Sequence, residues 1–178
     1  MKNVIIISSS PRVGGNSETL AKEFEKGAIE AGHSVEFVRL RDMNLKYCLA
    51  CYNCNATGKC VHDDGMNELS EKLLKADVLV LSTPVYFYSM SGQLKVFIDR
   101  LVTNYTKIKA DIYMIATQWD TDPEIMDNTF NAIRGATVHC FEDCEEKGLI
   151  YGIGLNDRGD ALKNSELLAQ AYEMGKNV

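Results

Sequence analysis

A doubly wound α/β fold is the reading this chain of 178 residues supports: a five-stranded parallel sheet, strand order 2-1-3-4-5, between two layers of helices. Three observations predict it. Strand-like runs alternate with helix-like stripes along the whole chain, the pattern of βαβ units. The strand-like runs are continuously apolar, as parallel strands covered on both faces must be. No linker, repeat or low-complexity segment interrupts the alternation, so the length fits one domain over 1–178.

Each element has a local reason. Val4–Ile7 is a β-branched run that stops at Ser8-Ser9-Ser10-Pro11, and it reads as a buried first strand. Leu20, Phe24, Ala28 and Ala31 then share one helical face, and Gly32 stands where a terminating glycine belongs. Val35–Leu40 is the second strand. Met66, Leu69, Leu73 and Leu74 form the next helical stripe, and Asp77–Leu81 is the third strand. Leu94, Phe97, Ile98 and Leu101 make a helix, and Ile112–Ala116 the fourth strand. Asp122-Pro123 is a helix start, an N-cap carboxylate before a proline at the first helical position. Met126, Phe130 and Ile133 continue that helix. Val138–Phe141 reads as the fifth strand, with Leu149–Ile153 as a short extension. The last helix runs from about Ala161 to Gly175 with Leu168 and Tyr172 inward. This set of units fits a flavodoxin-like three-layer sandwich. The stretch without periodicity is 43–64, and a loop of that length inside a compact domain points to function.

Composition narrows the partners. The chain is 46% hydrophobic and 25% charged with a net charge of −6, ordinary for a globular protein. No long basic run is present, which argues against nucleic acid and anionic membrane as main partners. The apolar run Val4–Ile7 is far shorter than a signal-peptide core, and no segment reaches the roughly 18 apolar residues of a spanning helix. Six cysteines without a secretion signal point to a reducing, cytoplasmic setting. Cys140 lies in an apolar stretch and reads as a small buried hydrophobe.

In an open parallel sheet, ligands bind beyond the C-terminal ends of the strands, where strand order reverses. The loop Ser8 to Ser17 leads from the first strand into a helix N-terminus. Its serines, glycines, Asn16 and Arg12 can present hydroxyls, backbone N–H groups and a guanidinium to an anion. It is neither a G-x-G-x-x-G nor a Walker loop, and it suits one phosphate monoester. The bland alternative is a polar turn that caps a helix. The loop after the third strand, Thr83 to Gly92, carries Tyr86, Phe87 and Tyr88 in a row behind Pro84 and Val85. An apolar loop beside a phosphate site suits a flat ring system; sealing the core or a subunit contact is the alternative. Thr117-Gln118-Trp119-Asp120 could form a third wall, or Trp119 could be a surface residue.

Cys48, Cys51, Cys54 and Cys60 are spaced C-x2-C-x2-C-x5-C. Four thiolates this close can hold a metal centre. Zinc would take them as a closed tetrahedral site, although its ligands more often come as two separated C-x2-C hooks. Free thiols or a disulfide are the other reading. His62 is near enough to be a spare ligand, with a solvated loop histidine as the alternative.

Ser10-Pro11-Arg12, Gly15-Asn16-Ser17, Thr83-Pro84-Val85-Tyr86 and Gly92-Gln93-Leu94-Lys95 with Phe97-Ile98-Asp99-Arg100 resemble the NAD(P)H-dependent FMN reductase superfamily. With the cysteine loop added, the chain resembles its iron–sulfur flavoprotein branch over almost its whole length. The resemblance implies FMN as cofactor. It implies Ser8, Ser10, Arg12, Asn16 and Ser17 around the phosphate, and Pro84, Val85, Tyr86 and Phe87 along the isoalloxazine, with Thr117 and Gln118 as further contacts. It also implies a [4Fe–4S] cluster on Cys48, Cys51, Cys54 and Cys60, which the chemistry permits because such clusters take four thiolates. The implied activity passes electrons from NAD(P)H or a reduced ferredoxin through FMN to a small-molecule acceptor, with no side-chain nucleophile, in a homodimer or homotetramer. A cluster-free NAD(P)H:FMN or quinone reductase, a non-enzymatic flavodoxin-like carrier and a zinc-stapled interaction module are the competing readings.

Overall fold

The computed structural model describes residues 1–178. Strands β1 (Asn3–Ser8), β2 (Ser34–Arg39), β3 (Val78–Tyr86), β5 (Asp111–Thr117) and β6 (Glu145–Gly152) form one parallel sheet in the order β2-β1-β3-β5-β6. A two-residue strand β4 (Ser89–Met90) folds back antiparallel on β3 and lies off that path. With β4 set aside, this is the expected 2-1-3-4-5 order of a flavodoxin-like sandwich. Helices α1 (Asn16–Glu30), α2 (Asn53–Thr57), α3 (Met66–Leu73), α4 (Gly92–Asp99), α5 (Pro123–Arg134), α6 (Thr137–Cys140) and α7 (Ser165–Lys176) fill the connections.

Strand alternation divides the core into two layers. Ile5, Ile7, Leu79, Leu81, Ile112 and Met114 face α3, α4 and α5, against Leu69, Leu73, Leu94, Phe97, Phe130 and Ile133. Val4, Ile6, Val78, Val80, Tyr113 and Ile115 face α1 and α7, against Leu20, Phe24, Ala28, Leu167 and Ala171. The two helices of that second layer approach backbone to backbone. A Cβ on Gly27 would stand 2.0 Å from the Tyr172 carbonyl oxygen, and one on Gly175 would stand 2.0 Å from that of Phe24. No helix is long and apolar enough to cross a membrane.

Four sequence expectations are corrected. Val138–Phe141 is not a strand: residues 137–140 form the short helix α6, and the fifth strand is Glu145–Gly152. That strand lies at the sheet edge, only Ile150 and Gly152 along it are fully buried, and its charged start masks it. The inward face of the last helix is Leu167, Ala171 and Gly175, with Leu168 and Tyr172 half-buried at its margin. Cys140 is exposed, its thiol on the Gly135 carbonyl at 3.1 Å. The stretch 43–64 contains the helical turn α2, closed by Gly58 in the left-handed region at φ +72°.

Candidate functional site

The ends of β1, β3 and β5 open onto a cleft at the point where strand order reverses. Ser10, Arg12, Asn16, Ser17, Pro84, Val85, Tyr86, Thr117 and Gln118 all line it, and it encloses about 530 Å³ of space, its mouth included. Gly15, Trp119, Leu155 and Asn156 complete the wall.

The first loop is built for close approach. Ser10 Oγ donates to the Arg12 carbonyl (3.1 Å) and accepts from the Arg12 amide (3.2 Å), which folds the loop back on itself. Gly15 passes beneath, where a Cβ would meet Ser10 Oγ at 2.4 Å. Gly15 is also the N-cap of α1, and no side chain caps that helix. Its first N–H groups are therefore left to a ligand, with the positive end of the helix dipole behind them. The Ser17 hydroxyl is buried there without a partner. An uncapped helix start, an orphaned hydroxyl and a glycine cradle in one loop fit a phosphate.

Buried charge holds this loop. Glu18 binds Arg39 Nε at 2.5 Å and Arg41 Nη1 at 2.7 Å and accepts from the Gly14 amide at 3.1 Å. Burial pushes the Glu18 carboxyl up, but the hydrogen bonds from Arg41, Arg39 and Gly14 outweigh it and hold the carboxyl below its ordinary range. Arg41 also donates to the Arg12 carbonyl at 3.1 Å. A chain of hydroxyls does the same for the neighbouring strand end: Ser9 Oγ donates to the Ser82 carbonyl, Ser91 Oγ to Ser9 Oγ, and Ser82 Oγ to the Ser17 carbonyl.

Asn16 spends its amide on the chain after β6. Its Nδ2 donates to the Asp157 carbonyl at 3.0 Å, and its Oδ1 accepts from the Ala161 amide at 3.1 Å. Its side chain thus positions a wall of the cleft. Gln118 Nε2 donates to the Asp122 carbonyl, while Oε1 stays buried and unpaired at the cleft.

Two expected residues lie elsewhere. Ser8 is buried at the end of β1, outside the cleft lining, its hydroxyl unpartnered. Phe87 is fully exposed at the tip of the β3–β4 hairpin, where it borders a shallower depression with Tyr88, Trp119 and Asp120. Phe87 and Tyr88 are both left-handed, at φ 49° and 59°, as a two-residue type I′ turn requires. The sequence reading missed Leu155 and Asn156, because a misplaced fifth strand misplaces the loop after it.

A second cavity lies under the cysteine loop. Cys48, Cys51, Cys54 and Cys60 all line it, with His62, Asp99 and Arg100. All six thiols of the chain are free, and no three Cys, His, Asp or Glu side chains already converge on one metal position. Both ends of the loop are anchored. Asn67 exchanges hydrogen bonds with the Cys60 backbone at 2.8 and 3.1 Å, and Asp64 accepts from the Lys46 amide at 2.9 Å while paired to buried Arg100. Between the anchors, Ala50 and Tyr52 adopt left-handed φ of 51° and 56°. Alternation of this kind turns successive N–H groups toward one side, a concavity suited to phosphates and iron–sulfur centres. The Ala50 amide already points to Cys48 Sγ at 3.4 Å. His62 Nε2 and two nitrogens of Arg100 are buried without partners. Donors gathered around four thiols fit an anionic metal–thiolate centre.

A family model described as NADPH-dependent FMN reductase matches residues 2–118. An iron-sulfur flavoprotein of Methanocaldococcus jannaschii is 41% identical over 97 residues, 54% of this chain and 50% of that protein. The chain spans about half the length of the iron-sulfur flavoproteins it matches, 50% and 46% for two of them. YwqN of Bacillus subtilis, whose name describes an NAD(P)H-dependent FMN-containing oxidoreductase, is 30% identical across 97% of this chain and 96% of its own. Among solved structures, an NAD(P)H:quinone oxidoreductase from Methanothermobacter marburgensis superposes with a TM-score of 0.76 at 19% identity, covering 99% of this chain and 95% of that one. An azoreductase from Bacillus anthracis superposes with a TM-score of 0.73 at 15% identity over the full length of both. These last two likenesses establish the fold.

Proposed function

Because this chain belongs to the NADPH-dependent FMN reductase family, we propose that it is an FMN-dependent oxidoreductase of iron–sulfur flavoprotein type. It takes electrons from NAD(P)H or a reduced ferredoxin and passes them to a small-molecule acceptor. The observation that carries the reading is the α1 start: an uncapped helix, the unpartnered Ser17 hydroxyl and the Gly15 cradle in one cleft.

In this reading Ser10, Arg12, Ser17 and the first amides of α1 hold the phosphate of FMN. Pro84, Val85, Tyr86, Thr117 and Gln118 border its ring, with Leu155 and Asn156 opposite. FMN bound there would supply the redox chemistry, transfer of electrons in pairs or singly. The chain itself binds and orients the reactants and keeps water from the buried side, and no side chain acts as nucleophile. Gln118, with one amide oxygen unpaired, can accept a hydrogen bond at the ring edge. Cys48, Cys51, Cys54 and Cys60 would hold a [4Fe–4S] cluster, which would supply one-electron transfer. The exposed Phe87, Tyr88 and Trp119 offer an apolar contact surface consistent with a homodimer or homotetramer.

Anaerobic purification with iron, sulfide, zinc and FMN analysis tests this. The expected protein is yellow-brown, contains FMN with iron and sulfide, and bleaches with NADH or NADPH. Protein that neither carries nor binds FMN would overturn the reading. FMN without iron would reduce it to a cluster-free reductase, and bound zinc would make the loop a structural staple. Cys54→Ser should lose iron and keep FMN.

A further inference from the structure

Glu18, Arg100 and Asp64, the partner of Arg100, have buried charged side chains, and Glu18 and Arg100 differ in one respect. Both Glu18 oxygens are taken by hydrogen bonds. Arg100, with a side chain 1% exposed, is only partly satisfied. A guanidinium carries five N–H donors. Nη1 is spent on Asp64 Oδ2 and on the Lys46 carbonyl at 3.1 Å. Nε and Nη2 are buried and have no partner. Simple ion pairing with Asp64 would use them in the two-pronged manner arginine favours with carboxylates. Here one nitrogen makes that contact.

Arg100 lines the cavity that holds the four cysteines, and Cys60 is the thiol beside it. Cys60 is itself fixed, its backbone held at both N–H and C=O by Asn67. Four thiolates on one metal centre carry more negative charge than the metal neutralises. That excess sits on sulfur, and a fixed N–H donor against sulfur both holds the centre and favours its more reduced, more negative state.

The geometry points to Arg100 as a positioning residue of the cysteine site, whose Nε and Nη2 donate to Cys60 Sγ and steady the negative charge of a tetrathiolate metal centre. The inference rests on reading Cys48, Cys51, Cys54 and Cys60 as one site, but it holds for a zinc-type ion as well as a cluster. The rival role for Arg100 is to tie the end of α4 to Asp64 and nothing more.

The test uses the full chain, anaerobic, with Arg100→Lys and with the pair Arg100→Met plus Asp64→Asn. The paired change leaves no buried carboxylate alone, and the lysine keeps the charge with a different reach. Two quantities are read: the affinity of metal-free protein for cobalt(II), from sulfur-to-cobalt absorption, and the midpoint potential of the reconstituted cluster, from its paramagnetic signal. The paired variant should bind cobalt about tenfold or more weakly. Its cluster should lose about tenfold of its preference for the reduced state, about 59 mV lower. Arg100→Lys should recover part of both. Wild-type cobalt affinity and potential in variants that fold and keep FMN would overturn the inference. If iron and sulfide build no cluster in the wild type, yet cobalt binds tightly and weakens in the paired variant, the cluster reading falls and the Arg100 role stands. If the wild type takes neither, both fall.

Discussion

Gly15 passes so close to Ser10 that a Cβ on it would stand 2.4 Å from the Ser10 hydroxyl. The backbone of Gly15 is extended, at φ −68° and ψ 160°, so alanine is tolerated there by conformation and refused only by space. Gly15→Ala must therefore turn the Ser10 hydroxyl away from the Arg12 backbone, to which it is hydrogen-bonded. FMN affinity should fall at least about tenfold, or about 1.4 kcal/mol, with the fold intact. Titration of flavin fluorescence measures it, and unchanged affinity would detach the loop from the phosphate.

Glu18 predicts a pH dependence. Its folded carboxyl titrates below the ordinary value of 4.5, because the bonds from Arg41 and Arg39 outweigh burial. The unfolded chain thus binds its proton first as pH falls. The stabilisation is complete above pH 4.5 and is lost as pH drops through the depressed folded value. Glu18→Gln should be less stable at neutral pH by about 3 kcal/mol. It should also lack that part of the acid slope. Urea unfolding at a series of pH values decides it.

Trp119 is the single tryptophan, three-quarters exposed at the rim of the cleft. A flavin ring seated against Pro84 and Val85 would lie within energy-transfer range of it. FMN binding should quench most of the tryptophan emission at one equivalent, and Trp119→Phe should remove the signal while retaining binding. Emission that is indifferent to bound FMN would place the ring elsewhere.

The hairpin tip carries strain. Phe87 and Tyr88 both hold left-handed φ, a region bulky residues enter at a cost of roughly 1 kcal/mol or more each. Replacing the pair by Asn-Gly should raise the stability of the flavin-free protein by about that amount. Thermal unfolding reads the change. A fall instead would mean that the two rings are packed against another copy of the chain.

The parallel core was legible because its strands are covered on both faces, so Val4–Ile7, Val78–Leu81 and Ile112–Ala116 appear as unbroken apolar runs. The edge strand Glu145–Gly152 was not, since its first residues are Glu145, Glu146 and Lys147 and its apolar run, Leu149–Tyr151, is short. Apolar Val138 drew the assignment instead, yet it is exposed on α6. The cleft followed the same logic. Residues on loops after correctly placed strands converge in it, whereas Leu155 and Asn156 follow the missed strand. Ser8 and Phe87 show a finer limit. One residue of shift at a strand end or a turn reverses where a side chain points, and loop composition carries no such phase. Arg100 entered only as the last residue of the motif Phe97-Ile98-Asp99-Arg100, and its burial gave no signal: its partner Asp64 lies 36 residues away in sequence.

The glycine contact between α1 and α7 has a consequence for how the cofactor is felt across the molecule. Ligand at the start of α1 stabilises that helix, and α1 is locked to α7 where Gly27 and Gly175 meet opposing carbonyls. The free energy of binding is then shared with a helix that has no atom in the cleft. Amide hydrogens along Leu167–Gly175 should exchange more slowly once FMN is bound. Gly175→Ala, which pries the helices apart, should uncouple that protection from the site.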